Sequence, residues 1–336
     1  MSLDLVPLWA AILGFGVFMY VLLDGFDLGV GILFGRAPDD VAREQMIGSV
    51  APIWDGNETW LILGGIALLA AFPVAFAVLM PALYFPILLM LVGLIFRGVA
   101  FEFRHVPGAN RRFWDRGFHV GSLVATFAQG IVLGSFIEGF PISGRQFAGG
   151  SFDWLRPFCL LTAVGLIFGY ALLGACWLIL KTEGELQAWA RRHARWLTIA
   201  VLAVMAAVSL WTPFLHERIA GRWFGWPNIV LLAPVPLFTL LAGWGLWRAL
   251  SSTSDLLPFV LAMALFVLGY FGLAVSLWPM IVPHTLDLWG AASSPKAQAF
   301  LMVGTLFLLP VILGYTGWSY WVFRGKVRSD IGYGQH

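Results

Sequence analysis

Nine apolar stretches, each long enough to cross a lipid bilayer, follow one another along this 336-residue chain. A helix needs about 20 residues to span a hydrocarbon core of about 30 Å, and each stretch has roughly 20–30 residues. A transmembrane β-barrel would instead alternate apolar and polar residues over about ten positions. The pattern therefore predicts an all-α polytopic membrane protein of about nine transmembrane helices. The stretches are 8–34, 51–72, 75–103, 117–140, 157–180, 195–215, 226–248, 256–282 and 298–323.

The low charge of the chain excludes most soluble classes of protein. Charged residues make up 11% of the sequence and hydrophobic residues 60%, whereas soluble domains carry about 25% charged residues. A soluble enzyme, a nucleic-acid binder and a disulfide-stapled secreted domain are all incompatible with this balance. The two cysteines, Cys159 and Cys176, lie in one apolar run and are interpreted as packing residues. The loops are short, so residues 1–336 are expected to form a single integral membrane domain.

The distribution of basic residues predicts the orientation in the membrane. Of the 20 Lys and Arg residues, 14 fall on one set of alternate loops and five on the other, while Arg97 lies inside a segment. Cytoplasmic loops carry the excess of Lys and Arg. We therefore expect a periplasmic N-terminus and a cytoplasmic C-terminus. The first segment has no basic residues before it and no cleavage site after it, which indicates a retained helix.

Two acid pairs lie inside the first two apolar segments. Asp24 and Asp27 are three residues apart, as are Asp55 and Glu58, so each pair shares one face of a helix. The two helices run antiparallel, and both pairs fall toward the predicted inner end. We therefore expect the pairs to meet. Ionisable groups inside a bilayer are costly and usually functional.

The third segment adds Arg97 and Glu102 near the same inner face. Full ionisation of these acids would leave a net negative cluster in a low-dielectric site, so some should be protonated or hydrated. One interpretation is a proton-uptake route. The other is a buried ion-pair network around Arg97 that determines helix register.

The histidines do not indicate a bound redox centre. All six lie in loops, at helix ends or at the terminus, although a membrane haem needs His or Met ligands that face inward. No CxxC motif, Walker loop or Rossmann glycine pattern is present, so this chain is expected to bind no haem, metal or nucleotide with its own ligands. The histidines are His105, His119, His193, His216, His284 and His336.

Taken together, the motifs resemble subunit II of the cytochrome bd-type quinol oxidases, including their shorter cyanide-insensitive branch. The likeness spans the whole chain. It is carried by Asp24-Gly-Phe-Asp27-Leu-Gly-Val-Gly31, Pro52-Ile-Trp54-Asp55-Gly-Asn57-Glu-Thr-Trp60, Phe96-Arg97 with Phe101-Glu102-Phe103-Arg104, Gly121-Ser122, Trp278-Pro279…Pro283 and Tyr315-Thr-Gly-Trp318-Ser-Tyr320.

This resemblance implies two four-helix bundles plus one peripheral helix, in a bacterial cytoplasmic (inner) membrane. The expected partner is a subunit I that holds two b-type haems and one d-type haem, or a b-type haem in its place. A small third subunit is a further expected partner. The complex would oxidise quinol and reduce dioxygen to water in aerobic respiration with protons from the cytoplasm. Subunit II would have no catalytic centre of its own.

The resemblance also assigns expected roles to residues. Asp27 and Asp55 match a proton route, with Asp24 alongside, and Trp60 matches a position on a dioxygen channel. Family members have Asp near position 102, where this chain has Glu102. The full set expected in the proton pathway is Asp24, Asp27, Asp55, Glu58, Arg97 and Glu102.

Two other functions remain open at the level of the sequence. A proton-coupled secondary transporter would use the acid cluster to bind its coupling ion, although such proteins often show inverted repeats and none is visible here. A purely structural membrane partner is the other alternative. Co-purification with haem would distinguish the oxidase subunit from the transporter.

Overall fold

The computed structural model describes residues 4–327, and these form a helical protein with two short hairpins. The helices are α1 Val6–Phe34, α2 Asp40–Val50, α3 Trp54–Ala71, α4 Pro73–Ala82, α5 Tyr84–Phe103, α6 Arg111–Glu138, α7 Pro157–Lys181, α8 Gly184–Leu215, α9 Glu217–Phe224, α10 Asn228–Leu232, α11 Pro234–Ala249, α12 Leu256–Leu277, α13 Leu288–Ala291 and α14 Pro295–Val322. The antiparallel hairpins pair β1 Ile142–Ser143 with β2 Gln146–Phe147, and β3 Met280–Val282 with β4 Leu286–Asp287.

Within residues 4–327, eight helical spans are long and apolar enough to cross a membrane, with α10 and α11 counted as one. The remaining predicted span, 51–72, corresponds to α3, whose first turns carry Asp55, Asn57 and Glu58 and are therefore polar. The predicted single helix over 75–103 is wrong, because α4 and α5 are separate helices there. Pro81 and Pro86 flank the break, and neither has a backbone N–H to donate a helical hydrogen bond.

The helices form two bundles and one peripheral helix, as the resemblance implies. The first bundle contains α1, α3, α5 and α6; the second contains α7, α8, α11 and α12. Helix α7 packs against both α1 and α6 and so joins the two bundles. Helix α14 packs mainly against α3, and Gln298 is its one fully buried residue. The apolar side chains around the rest of α14 are therefore available to lipid or to another chain.

Glycines allow α1 and α7 to pack backbone against backbone at the centre of the molecule. A Cβ added at Gly29 would lie 1.8 Å from the Tyr170 carbonyl oxygen, and one at Gly174 would lie 2.3 Å from the Gly29 carbonyl carbon. Gly25 and Gly29 lie four positions apart on α1, a small-residue spacing typical of helices that pack closely. This contact buries the segment of α1 that carries Asp24 and Asp27.

The alternate loops that the sequence predicts on one side do meet at one end of the bundles. At the Phe34 end of α1, Glu44 accepts hydrogen bonds from Arg104 at 2.7 Å and from Arg111 at 2.6 Å. At the opposite end, the Trp9 indole donates to the Gln298 carbonyl at 3.2 Å. The grouping of the loops agrees with the predicted topology, while the side of the membrane on which each end lies stays a prediction.

The chain after α14 is held against the Phe34 end by an ion-pair cluster. Lys326 Nζ lies 2.6 Å from Asp255 Oδ2, and Arg191 Nη2 lies 2.8 Å from Asp255 Oδ1. The Val327 amide donates to the Lys181 carbonyl at 2.8 Å. Partial burial raises the pKa of Asp255, but the Lys326 hydrogen bond and charge outweigh it, so the pKa lies below its ordinary value of 3.8.

Replacing Asp255 by Asn should loosen this segment and speed tryptic cleavage after Lys326 by several-fold, as expected for an exposed ion pair worth up to about 1 kcal/mol. Because the pKa is lowered in the folded state, the stabilisation is complete above pH 3.8 and is lost as the pH falls through the folded-state value. The cleavage rate of the unaltered protein, divided by the rate for an unstructured peptide with the same bond to correct for the pH dependence of trypsin, should therefore stay constant between neutral pH and about pH 5. Intact-mass spectrometry would follow the cut. Glu183→Gln is the matched control, because Glu183 lies 3.7 Å from Lys326 with its side chain 76% exposed. Equal rates in both variants would contradict the prediction.

Candidate proton-handling site

Arg97 is the centre of a buried ion-pair cluster that joins three helices. Its side chain is fully buried; Nη1 lies 2.6 Å from Asp24 Oδ1 on α1, and Nη2 lies 2.5 Å from Glu58 Oε1 on α3. The Trp54 ring lies over the guanidinium, 5.6 Å from its centroid to Cζ. Removing these three charges from water is costly, and the two close ion pairs reduce that cost.

Asp27 lies about one turn beyond Asp24, toward the Phe34 end of α1, and is 1% exposed. Its Oδ2 accepts a hydrogen bond from Asn57 Nδ2 at 2.7 Å, and Asn57 Oδ1 accepts one from the Tyr320 hydroxyl at 2.9 Å. We refer to Asp24, Asp27, Asn57, Glu58 and Arg97 as the buried acid cluster. It combines α1, α3 and α5 of the first bundle and is reached by α14 from outside.

The charges in the buried acid cluster do not balance. Arg97 is the single cation in it, against the carboxyl groups of Asp24, Asp27 and Glu58. Full ionisation would leave two uncompensated negative charges in a low-dielectric site, which is unfavourable. The cluster is therefore most stable when it holds at least one proton.

Glu58 connects the cluster with the protein surface. Its side chain is 24% exposed, whereas those of Asp24 and Arg97 are completely buried. Within residues 4–327, Asp24 Oδ2 and Asp27 Oδ1 are buried without a protein hydrogen-bond partner. Each buried acid thus has one oxygen engaged by a donor and one that can carry a proton.

A second hydrogen-bonded chain extends from this region toward α7. The Tyr170 hydroxyl donates to Gln129 Oε1 at 2.9 Å, and Gln129 Nε2 donates to the Tyr20 hydroxyl at 2.7 Å. Tyr20 lies one helical turn from Asp24 on α1. Gln129 and the two tyrosines were not among the residues predicted from the sequence. A lone glutamine in an apolar helix was the signal that could have identified them.

Two predicted pathway residues lie outside the buried acid cluster. Asp55 and Glu102 are both exposed. Five residues separate Glu102 from Arg97, a rotation of about 140° from it around the helix, so Glu102 points away from the guanidinium. The expectation that both acid pairs meet is therefore correct for Glu58 but wrong for Asp55.

Trp60, the predicted dioxygen-channel residue, is fully buried on α3. Its ring makes an edge-on contact with Phe15 of α1, with centroids 5.7 Å apart. The indole N–H has no partner within the described part of the chain. Trp60 follows Glu58 by two residues on α3, which places the two side chains about 160° apart around the helix axis.

The described histidines are engaged by groups of the protein. His119 Nδ1 lies 3.0 Å from the Gly31 carbonyl, and His216 Nε2 lies 2.9 Å from the Glu138 carbonyl. His284 Nε2 lies 3.0 Å from the Ile137 carbonyl. His105 and His193 also contact backbone carbonyls, and His336 lies outside the described residues. Between residues 4 and 327, no group of three or more His, Cys, Asp or Glu side chains is arranged to hold a metal ion.

Comparison with known proteins identifies relatives along nearly the whole chain. The family described as cytochrome bd terminal oxidase subunit II matches residues 5–323. Cytochrome bd-I ubiquinol oxidase subunit 2 of Escherichia coli (strain K12) is 28% identical over 372 aligned positions, which cover 96% of this chain and 95% of the relative. Cytochrome bd ubiquinol oxidase subunit 2 of Bacillus subtilis (strain 168) is 28% identical over 338 positions, with 96% of each chain covered. A chain of the bd oxidase structure from Geobacillus thermodenitrificans has the same fold, with a TM-score of 0.77 at 14% identity; 96% of this chain and 99% of that chain are covered.

Proposed function

Because the chain belongs to the cytochrome bd terminal oxidase subunit II family, we propose that it is the haem-free partner of a haem-bearing subunit I and supplies protons through its buried acid cluster. The family makes it a subunit of a haem-containing oxidoreductase complex in a membrane. In the proposed complex, quinol provides electrons and dioxygen is reduced to water. The protons would come from the cytoplasm.

The observation that carries this proposal is the excess of carboxyl groups around Arg97. An ion-pair network that only determines helix register is complete with one carboxylate for its cation, as in a single buried Arg–Asp pair. This cluster has three carboxyl groups for one guanidinium, and two buried carboxylate oxygens have no donor within residues 4–327. The carboxylate oxygens without a donor can accept and release a proton.

The geometry supports a path that begins at Glu58 and continues to Asp24 and Asp27. A proton that reaches Glu58 from solvent neutralises its carboxylate and leaves Arg97 paired with Asp24 alone. Transfer from Glu58 to Asp24 then restores the Glu58 ion pair and moves the proton inward. Throughout, Arg97 remains protonated. The carboxyl groups of Glu58 and Asp24 each stay within about one hydrogen-bond length of its guanidinium.

The exposed acids remain part of the proposal as proton collectors. Asp55 precedes Glu58 by three residues on α3, which places the two less than one turn apart. Glu102 lies at the same end of α5 as Arg97. A surface carboxylate near the outer member of a buried acid pair raises the local proton concentration.

The sequence resemblance implies that the haems of such a complex lie in its partner subunit rather than in this chain. We therefore assign the expected haems, two of type b and one of type d or b, to subunit I. Trp60 is proposed to line dioxygen access, and a small third subunit is a further proposed partner. The family match lends no support to the proton-coupled transporter.

Glu58→Gln should reduce quinol oxidase turnover of the assembled complex about tenfold or more, because the amide cannot carry the proton. The haem absorption spectrum of the purified complex should not change. Turnover is measured with quinol and dioxygen at neutral pH, beside the control Glu185→Gln in the exposed first turn of α8. Unchanged turnover, or loss of haem from the purified complex, would count against a proton-uptake role and favour a structural one.

A further inference from the structure

Tyr320 is the side chain through which the peripheral helix reaches the buried acid cluster. Most side chains of α14 around it are exposed or partly exposed. The Tyr320 ring lies among aromatic residues, with centroid distances of 6.4 Å to Phe26 and 6.2 Å to Trp177. Its hydroxyl donates to Asn57 Oδ1 at 2.9 Å. The proposed proton path assigns no role to this contact.

Asn57 is 1% exposed and links Tyr320 with Asp27. Its carbonyl oxygen accepts from Tyr320, while its Nδ2 group donates to Asp27 Oδ2 at 2.7 Å and lies 3.5 Å from the Leu23 carbonyl. For Asp27, the Asn57 amide is the one side-chain donor within residues 4–327, and Oδ1 has none. The orientation of one amide thus decides whether Asp27 receives a hydrogen bond.

We propose that Tyr320 is a positioning residue for Asp27: by holding the Asn57 carbonyl, its hydroxyl keeps the amide N–H on the Asp27 carboxylate and favours the ionised form of that group. This inference rests on the proposed function and adds a residue of the peripheral helix to it. Hydrogen bonds in a chain strengthen one another, and those to an ionised acceptor are about twice as strong as neutral ones. Loss of the Tyr320 hydroxyl therefore weakens the ionised state more than the protonated state.

Three charged groups face the same site and act on Asp27 together with Asn57. Asp24 and Glu58, when ionised, disfavour a negative charge there, and the Arg97 guanidinium favours it. Around the Phe26 and Tyr320 rings, Phe259 of α12 and Trp177 of α7 are aromatic and carry no charge. Tyr320→Phe leaves all of these groups in place, so its effect isolates the hydroxyl.

The test is an infrared titration of the purified, assembled complex. The carboxyl band of Asp27 is assigned as the band that Asp27→Asn removes. In Tyr320→Phe, the pH at which half of this band is lost should rise by about half a unit or more, the size expected for one weakened hydrogen bond to a carboxylate. Tyr315→Phe is the matched control, since Tyr315 lies on the same helix and is 61% exposed. An unmoved midpoint in Tyr320→Phe would overturn the proposal.

A double-mutant cycle distinguishes positioning from general loosening of α14. Tyr320 acts through Asn57, so Tyr320→Phe should shift the Asp27 midpoint when Asn57 is present and should add no shift in an Asn57→Ala background. Equal shifts in both backgrounds would overturn the positioning role. The proposed function is tested separately, because unchanged turnover in Asp27→Asn would argue against Asp27 as a proton carrier without moving the infrared midpoint of Tyr320→Phe.

Discussion

Replacing Arg97 by methionine is expected to destabilise the assembled complex by about 3–5 kcal/mol, because it leaves carboxylates buried without their cation. The Arg97 side chain is fully buried between Asp24 and Glu58. Methionine retains much of its length but provides no charge and no hydrogen-bond donor. The measurement is the thermal unfolding midpoint of the detergent-solubilised complex. Arg36→Met is the control, since Arg36 is exposed just after α1.

A compensating triple variant separates the charge from the volume of Arg97. In Arg97→Met combined with Asp24→Asn and Glu58→Gln, the uncompensated charges of both partners are removed along with the cation. Much of the lost stability should return, since replacing a whole buried ion network by neutral groups is often tolerated. Turnover should remain low, because the proposed proton carriers are absent. If the triple variant were no more stable than Arg97→Met, packing rather than charge would explain the effect of Arg97.

Gly29→Ala is the second substitution with a large expected effect. The added methyl group would lie 1.8 Å from the Tyr170 carbonyl oxygen and 2.6 Å from its carbonyl carbon, both backbone atoms of α7. Because neither atom can rotate away, α1 and α7 would have to separate, at a cost of about 3 kcal/mol or more. The expected result is a sharp fall in the yield of folded complex, measured by size-exclusion chromatography of the solubilised membrane.

Gly317→Ala provides the matched control on α14. A Cβ at this position meets no atom within 4 Å. Alanine is favoured over glycine in a helix interior by about 1 kcal/mol, so this variant should be as stable as the unaltered protein or slightly more so. An equal loss of folded complex in both variants would show that the Gly29 contact with α7 is not the cause.

Of the acids predicted for the proton pathway, the structure places Asp24 and Glu58 on Arg97 and leaves Asp55 and Glu102 exposed. Asp24, Glu58 and Arg97 could be grouped from the sequence because each is a charged group inside an apolar helix, at a matching distance from a helix end. The sequence could not show that Glu58 pairs with Arg97 whereas Asp55, three residues earlier, is exposed. Three residues on a helix differ by about 60° around its axis, and a difference of this size decides burial only once the neighbouring helices are in place.

The sequence by itself determined the helical membrane class, the order of the spans, the family and the acids available for proton chemistry. These properties follow from local composition and short spacing, which act within a single helix. Only the tertiary structure decided which acids pair with Arg97. It also decided that Tyr320 contacts Asn57, because 263 positions separate those two residues in the sequence. Such contacts depend on the close approach of whole helices, such as that of α1 and α7 at Gly29 and Gly174, and helix periodicity does not specify which neighbours meet.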